Sequence, residues 1–295
     1  MSATGGGAAD RGGARIHDRG YRGYDGPRTG VRGAVRTLYR FTMARVLGLR
    51  RPFRAKALPI LVGVLAYLPA VVLIGLTVLV PKLNDEALPG YAEYYGFIIA
   101  AIVVFVAFVA PEALCPDRRN RMLGTYLASP LDRSTYVAAK FAAVTTLIAG
   151  VTLAPPLLLA VARSFQGIGP APSDLALLLV RIVASGTCLA LFFASVSLGV
   201  SSITDRKAFA SAGMILTVIV SGAVSGAIRR GDPSRDSAGM ISVTTAPLEL
   251  VHRIYGQPGN WPGAPTWLVA VATAAWATVA LVVLVWRYRT IEVTR

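Results

Sequence analysis

An all-α integral membrane protein is the fold class predicted here, on three observations. Of 295 residues, 54% are hydrophobic and only 15% are charged, well short of the roughly 25% that cover an average soluble domain. The apolar residues gather in six stretches, each close to the about 20 residues that a helix needs to cross a bilayer core of about 30 Å. No train of short alternating segments of the barrel kind competes with them. The mean hydropathy is +0.57, yet the formal net charge is +15, from 30 Lys and Arg against 15 Asp and Glu. A chain both apolar and basic must separate the two properties along its length. Residues 1–56 do this, with 13 basic residues and three acids, Asp10, Asp18 and Asp25.

Residues 1–30 are rich in Gly, Arg and Asp. They hold too little apolar surface to build a core and are expected to form a disordered basic cytoplasmic tail. From 31 to 56 the pattern changes. Val31, Val35, Leu38, Val46 and Leu49 fall near one helical face and Arg32, Arg36 and Arg40 on another, which predicts an amphipathic helix on the inner membrane surface. Arg45 sits on the apolar side and Leu47 on the basic side, so a polybasic juxtamembrane stretch without a helix is the competing reading. The membrane domain occupies 57–295. Its spans are expected at 57–80, 94–110, 137–162, 175–203, 208–228 and 267–286, with Pro155-Pro156 kinking the third. The run RRPFRAK before the first span has the look of a twin-arginine export signal, but that reading predicts a cleaved, soluble product, and five further spans speak against it.

Lys and Arg also set the orientation. With the amino terminus inside, the inner segments hold 23 of them and the outer segments six, Lys82, Arg163, Arg229, Arg230, Arg235 and Arg253. Arg181 falls within a span. Both termini are therefore expected on the cytoplasmic side of the cell membrane.

The residues that would support chemistry are missing. There is no G-x-x-x-x-G-K-[ST] loop to cradle a nucleotide phosphate. Of the two histidines, His17 is in the tail and His252 in an outer loop, and no metal-ligand cluster is readable. Cys115 and Cys188 are expected as free thiols behaving as small apolar residues. No catalytic residue, cofactor or metal site is expected, and nothing resembles a nucleic-acid recognition module. Ion-coupled transport usually leaves acids inside the membrane. Here Glu112 lies at the inner end of the second span and Asp174 at the outer start of the fourth, with none in the middle of any span.

The inner loop from Pro111 to Lys140 is longer than a plain connection. Met122, Leu123, Tyr126 and Leu127 recur at helical spacing opposite Arg118, Arg119 and Arg121, which predicts a short amphipathic helix at the cytoplasmic surface. Ser129-Pro130 breaks the chain, and Asp132 and Ser134 suit the cap of the third span. An interfacial helix resting on membrane lipid is the plain alternative. The stretch DRRNRMLGTYLASPLDRSTYVAAK resembles a motif of ABC-2 type permeases, the membrane subunits of ABC transporters. Asp117, Arg118, Tyr126, Leu127, Pro130, Leu131, Arg133, Tyr136 and Lys140 occupy the matching positions, and the pattern departs at Arg121-Met122, where many members have Gly-Thr. The resemblance implies a separate cytosolic ABC ATPase subunit, a second permease subunit making a homo- or heterodimer, and an export role. The short helix would be the coupling helix, with Arg118, Arg119 and Arg121 pairing acids on the ATPase and Met122, Leu123 and Tyr126 filling its groove. A secondary transporter or channel working without an ATPase, and a structural or assembly protein, are the rival readings.

Two spans carry small-residue stripes. The fifth has Gly222-x-x-x-Gly226, which predicts close helix packing, with Ser211 and Ser221 before it. The fourth offers Arg181, Ser185, Cys188, Ser195, Gly199 and Ser202 near one face, either packed in the bundle or lining a pathway, and Arg181 either snorkels outward or faces a cavity. Before the last span, residues 246–255 read as a short amphipathic helix in which Glu249 and His252 face each other. Trp261 and Trp267 suit interfacial anchors.

Overall fold

The computed structural model describes residues 26, 30–49, 52–79, 89–167, 169–232 and 235–291, so the expected tail lies outside the described residues except for Gly26 and Gly30. The described chain folds as helices α1 Gly30–Val46, α2 Phe53–Leu79, α3 Tyr91–Arg119, α4 Leu123–Leu127, α5 Arg133–Thr152, α6 Ala154–Phe165, α7 Pro172–Ile203, α8 Lys207–Gly231, α9 Thr245–Ile254 and α10 Thr266–Thr290. A 3₁₀ helix at Asp236–Ile241 precedes α9. Six helical segments are long and apolar enough to cross a membrane: Pro59–Leu79, Tyr91–Arg119, Arg133–Phe165, Ser173–Ile203, Lys207–Gly231 and Thr266–Thr290. They fall where the six apolar stretches were expected.

The second span runs further than the sequence suggests. α3 continues through Pro111 and Pro116 to Arg119 instead of ending near 110. A proline inside a helix removes the backbone bond to the carbonyl four residues before it and kinks the helix, so the interrupted turn is steadied from outside. Lys140 Nζ braces the interrupted turn by donating to the Ala113 carbonyl at 2.9 Å, three residues before Pro116. The same device recurs in α2, which contains Pro69. There the Tyr94 hydroxyl donates to the Ala66 carbonyl at 2.8 Å, again three residues before the proline.

The third span breaks at Leu153 into α5 and α6, because Pro155 and Pro156 can occupy only the first turn of a new helix. The break seats against α7. Thr152 Oγ1 donates to the Gly186 carbonyl at 2.8 Å. A Cβ on Gly186 would lie 2.2 Å from a Leu153 methyl, so any larger residue would have to displace the Leu153 side chain.

α3, α5 and α7 make the centre. Tyr95, Ile98, Ile102, Tyr136, Val144, Ile148, Phe192 and Phe193 are buried there. α2, α8 and α10 pack around it and turn Leu61, Val64, Leu68, Leu216, Ile219, Val271 and Val282 outward. α7 and α10 approach each other closely, and a Cβ on Gly199 would sit 2.7 Å from the Ala280 carbonyl oxygen. Among the described residues Gly222 and Gly226 make no such contact, since a Cβ on either meets nothing within 4 Å.

α1 forms as the periodicity predicts, but much of its apolar face is turned onto α5 and α3. Leu38, Thr42 and Val46 are buried there, whereas Val31 and Leu49 remain exposed. Tyr39 donates to Thr146 Oγ1 at 3.0 Å.

Candidate functional site

The loop after the second span gathers at one end of the bundle, with α1, the last turn of α3, the start of α5 and the ends of α7 and α10. Its centre is Asp117, fully buried. Burying a carboxylate costs several kcal/mol unless both oxygens are met by charge and hydrogen bonds. Here they are. Lys140 Nζ lies 2.7 Å from Oδ2, the Tyr136 hydroxyl donates to Oδ2 at 2.8 Å, and Arg45 Nη1 pairs with Oδ1. Lys140 is itself 1% exposed and lies 5.5 Å from the Tyr136 ring centroid. Arg45, which breaks the amphipathic pattern of α1, thus joins α1 to Asp117.

α3 ends in a Schellman turn. Arg121 N–H donates to the Arg118 carbonyl at 3.0 Å and Met122 N–H to the Asp117 carbonyl at 2.9 Å. Such a turn needs a left-handed residue, ordinarily glycine. Arg121 takes it, with φ of 53°. This is the position where the sequence departs from the Gly-Thr of the permease motif.

The five residues of α4 follow directly. Tyr126 stacks on Tyr136 and Tyr136 on Tyr288, each pair of ring centroids 5.7 Å apart, joining α4 to α5 and α10. Partial burial raises the Tyr126 phenol above its ordinary pKa, with the Asp117 charge adding to the effect. Two arginines of the loop cap distant helices. Arg118 Nη1 donates to the carbonyls of Ser202 and, at 3.0 Å, Thr204 at the end of α7. Arg133 Nη1 donates to the carbonyls of Arg289 and, at 3.4 Å, Tyr288 at the end of α10. Cations belong at helix carboxyl ends, where the unpaired carbonyls carry partial negative charge.

The six residues expected on the short helix therefore divide. Arg118 is turned inward as a cap. Arg119 and Arg121 are exposed. Met122, Leu123 and Tyr126 are half-buried, and Leu123 and Tyr126 pack on the chain's own core. Arg118 and Arg119 also belong to the last turn of α3, since α4 starts only at Leu123. In α7, Ser185, Ser195 and Ser202 are buried and Arg181 is half-buried at the opposite end. Of the residues the sequence did not single out, Arg45 had a signal, its place on an apolar face. Tyr288 had none.

At that opposite end the expected outer helix forms as α9, but Glu249 and His252 do not face each other. Glu249 Oε1 accepts from the Asn260 N–H at 2.7 Å, and His252 Nδ1 lies 3.3 Å from Gln257 Oε1. Gly259, at φ of 68°, brings its backbone against the Glu249 carboxylate.

What the Asp117 cluster and its arginines do together is mechanical: one short segment ties α1, α3, α5, α7 and α10 at a single end. Residues 76–286, about seven-tenths of the chain, match the family model described as ABC-2 family transporter protein. The match takes in every helix from α3 to α9 and most of α10. No curated protein matches the chain.

Proposed function

The chain belongs to the ABC-2 transporter family, and from this we propose that it is the membrane half of an exporter powered by a separate cytosolic ABC ATPase that docks at α4. The observation that carries the reading is the tethering of the loop from Asp117 to Tyr136. Its outer side offers Arg119 and Arg121 to a partner. Its inner side is fixed to five helices through Asp117, Arg118, Tyr126 and Arg133. A push on α4 is then transmitted through packed side chains instead of being absorbed by a slack loop. Arg119 and Arg121 pair acids on the ATPase, Met122 contributes an apolar anchor, and Arg118, Leu123 and Tyr126 pass the movement on. The absence of a phosphate-binding loop from the sequence fits a division of labour in which the partner hydrolyses ATP. The 23-to-six distribution of Lys and Arg supports placing this end and both termini in the cytoplasm of a cell-membrane protein.

A second permease subunit is part of the proposal. Gly222 and Gly226 open onto space beside the exposed Leu216, Ile219, Val220 and Val224 of α8. Small-xxx-small faces let a second helix approach closely.

Isolation of the chain from its own membranes in mild detergent is expected to bring a Walker-motif ATPase with it. Arg119→Glu with Arg121→Glu should cut that yield at least tenfold while membrane insertion is unchanged, because a reversed charge faces its former partner. Uphill transport by the purified chain alone, on an ion gradient, would overturn the proposal. Gly222→Leu should convert a dimer to a monomer on gel filtration without altering thermal stability, since among the described residues no atom is in the way. An unchanged elution position would remove α8 from the dimer contact.

A further inference from the structure

At the end of the bundle away from α4, a cavity of about 350 Å³ opens between the end of α6 and the first turns of α7. Arg163, Arg181, Tyr91, Asp174, Leu177 and Leu178 line it. Arg163 is 5% exposed, and its guanidinium is only partly satisfied. One Nη donates to the Pro89 carbonyl at 3.2 Å, the group lies 5.2 Å from the Tyr91 ring centroid, and Nε is buried with no hydrogen-bond partner. Among the described residues, neither Arg163 nor Arg181 has a carboxylate within ion-pair distance. Asp174 stands exposed at the rim. A buried guanidinium without a counter-charge is costly, and the structure elsewhere avoids it by pairing Arg45 with Asp117. Leu177 and Leu178 give the same cavity an apolar wall along α7.

We propose that this cavity binds an oxyanion of the phosphate class, held between Arg163 and Arg181, with any apolar stem lying along Leu177 and Leu178. Guanidinium groups present planar, paired donors that match phosphate oxygens, and they gain strength where water is excluded. The two cations face inward from different helices, α6 and α7, so the anion joins them across the loop between 165 and 172. The site needs neither the ATPase nor the dimer, so its failure and the failure of the transport reading are separable.

The full chain, purified in neutral detergent, can be titrated with three probes: dihexanoyl phosphatidic acid, inorganic phosphate, and dihexanoylglycerol, which has the same tails and no phosphate. The expected result is saturable binding of phosphatidic acid and none of dihexanoylglycerol. Phosphatidic acid without inorganic phosphate identifies a lipid headgroup, whereas comparable binding of both identifies a free anion, and either upholds the site. Arg181→Ala should weaken binding about tenfold, the loss of one charge-assisted pair. Asp174→Asn should tighten it a few-fold by removing the like charge at the rim, and both residues lie outside the buried core, so folding is retained. Equal binding of dihexanoylglycerol and phosphatidic acid, or an affinity untouched by both substitutions, would overturn the proposal.

Discussion

At the α4 end of the bundle, buried charges are settled against one another: Asp117 is shared by Arg45 and Lys140. At the α9 end they are settled against backbone and aromatic rings. Arg163 has a carbonyl and the Tyr91 face, and Arg253 has the carbonyls of Pro258, Trp261 and Ala264. Glu249 has one N–H. The difference is one of rigidity. A carboxylate with three specific partners on α1 and α5 fixes the relative placement of those helices with α3. A guanidinium resting on loop carbonyls holds its own neighbourhood and leaves charge available to a ligand. The end that is proposed to receive force is stiff, and at the end that faces away from it Arg163 and Arg253 have no ion pair among the described residues.

Amide substitution of the two buried carboxylates breaks or sustains this contrast. Asp117→Asn keeps the shape but leaves Lys140 and Arg45 facing each other in a buried site, and should cost about 3–5 kcal/mol, read as a large loss of thermal stability in detergent. Lys140→Met should cost less than Asp117→Asn, because Arg45 still neutralises the carboxylate. An equal loss for both would mean that Arg45 contributes nothing to the pair.

Smaller effects sharpen the picture. Arg121→Gly should raise stability by about 1 kcal/mol, the strain of holding a side chain in the left-handed region, measured as a higher melting temperature. Smallest of all is Glu249→Gln. Oε1 still accepts from Asn260, and the charge removed has no counter-ion among the described residues, so stability should change by less than about 1 kcal/mol. A drop as large as that of Asp117→Asn would place an unseen cation at the α9 end and erase the distinction between the two ends.

The six spans were legible because a membrane helix declares itself by length and hydropathy, which are local properties. The break at Pro155-Pro156 was legible for the same reason. The extent of α3 was not: Pro111 and Pro116 read as a stop, and the helix continues through both, with Lys140 from another helix bonded to the Ala113 carbonyl beside the second. Arg118 shows a second limit. Its spacing places it among basic residues offered to a partner, but the end of α7, 84 residues further on, decides that it turns inward. The motif residues Asp117, Tyr126, Tyr136 and Lys140 are brought together as a cluster, a use that pattern alone did not distinguish from partner contact. The Gly222 and Gly226 pair was expected at a close helix contact, and within the chain that contact belongs to Gly199.

The attachment of α1 also bears on biogenesis. Arg45 leaves the ribosome 72 residues before Asp117, and Lys140 later still. The leading helix must therefore wait, unpaired, while the next spans are made, and can dock only once both partners have been threaded into the bilayer. Its docking is a late event that marks correct insertion of the first half of the polypeptide.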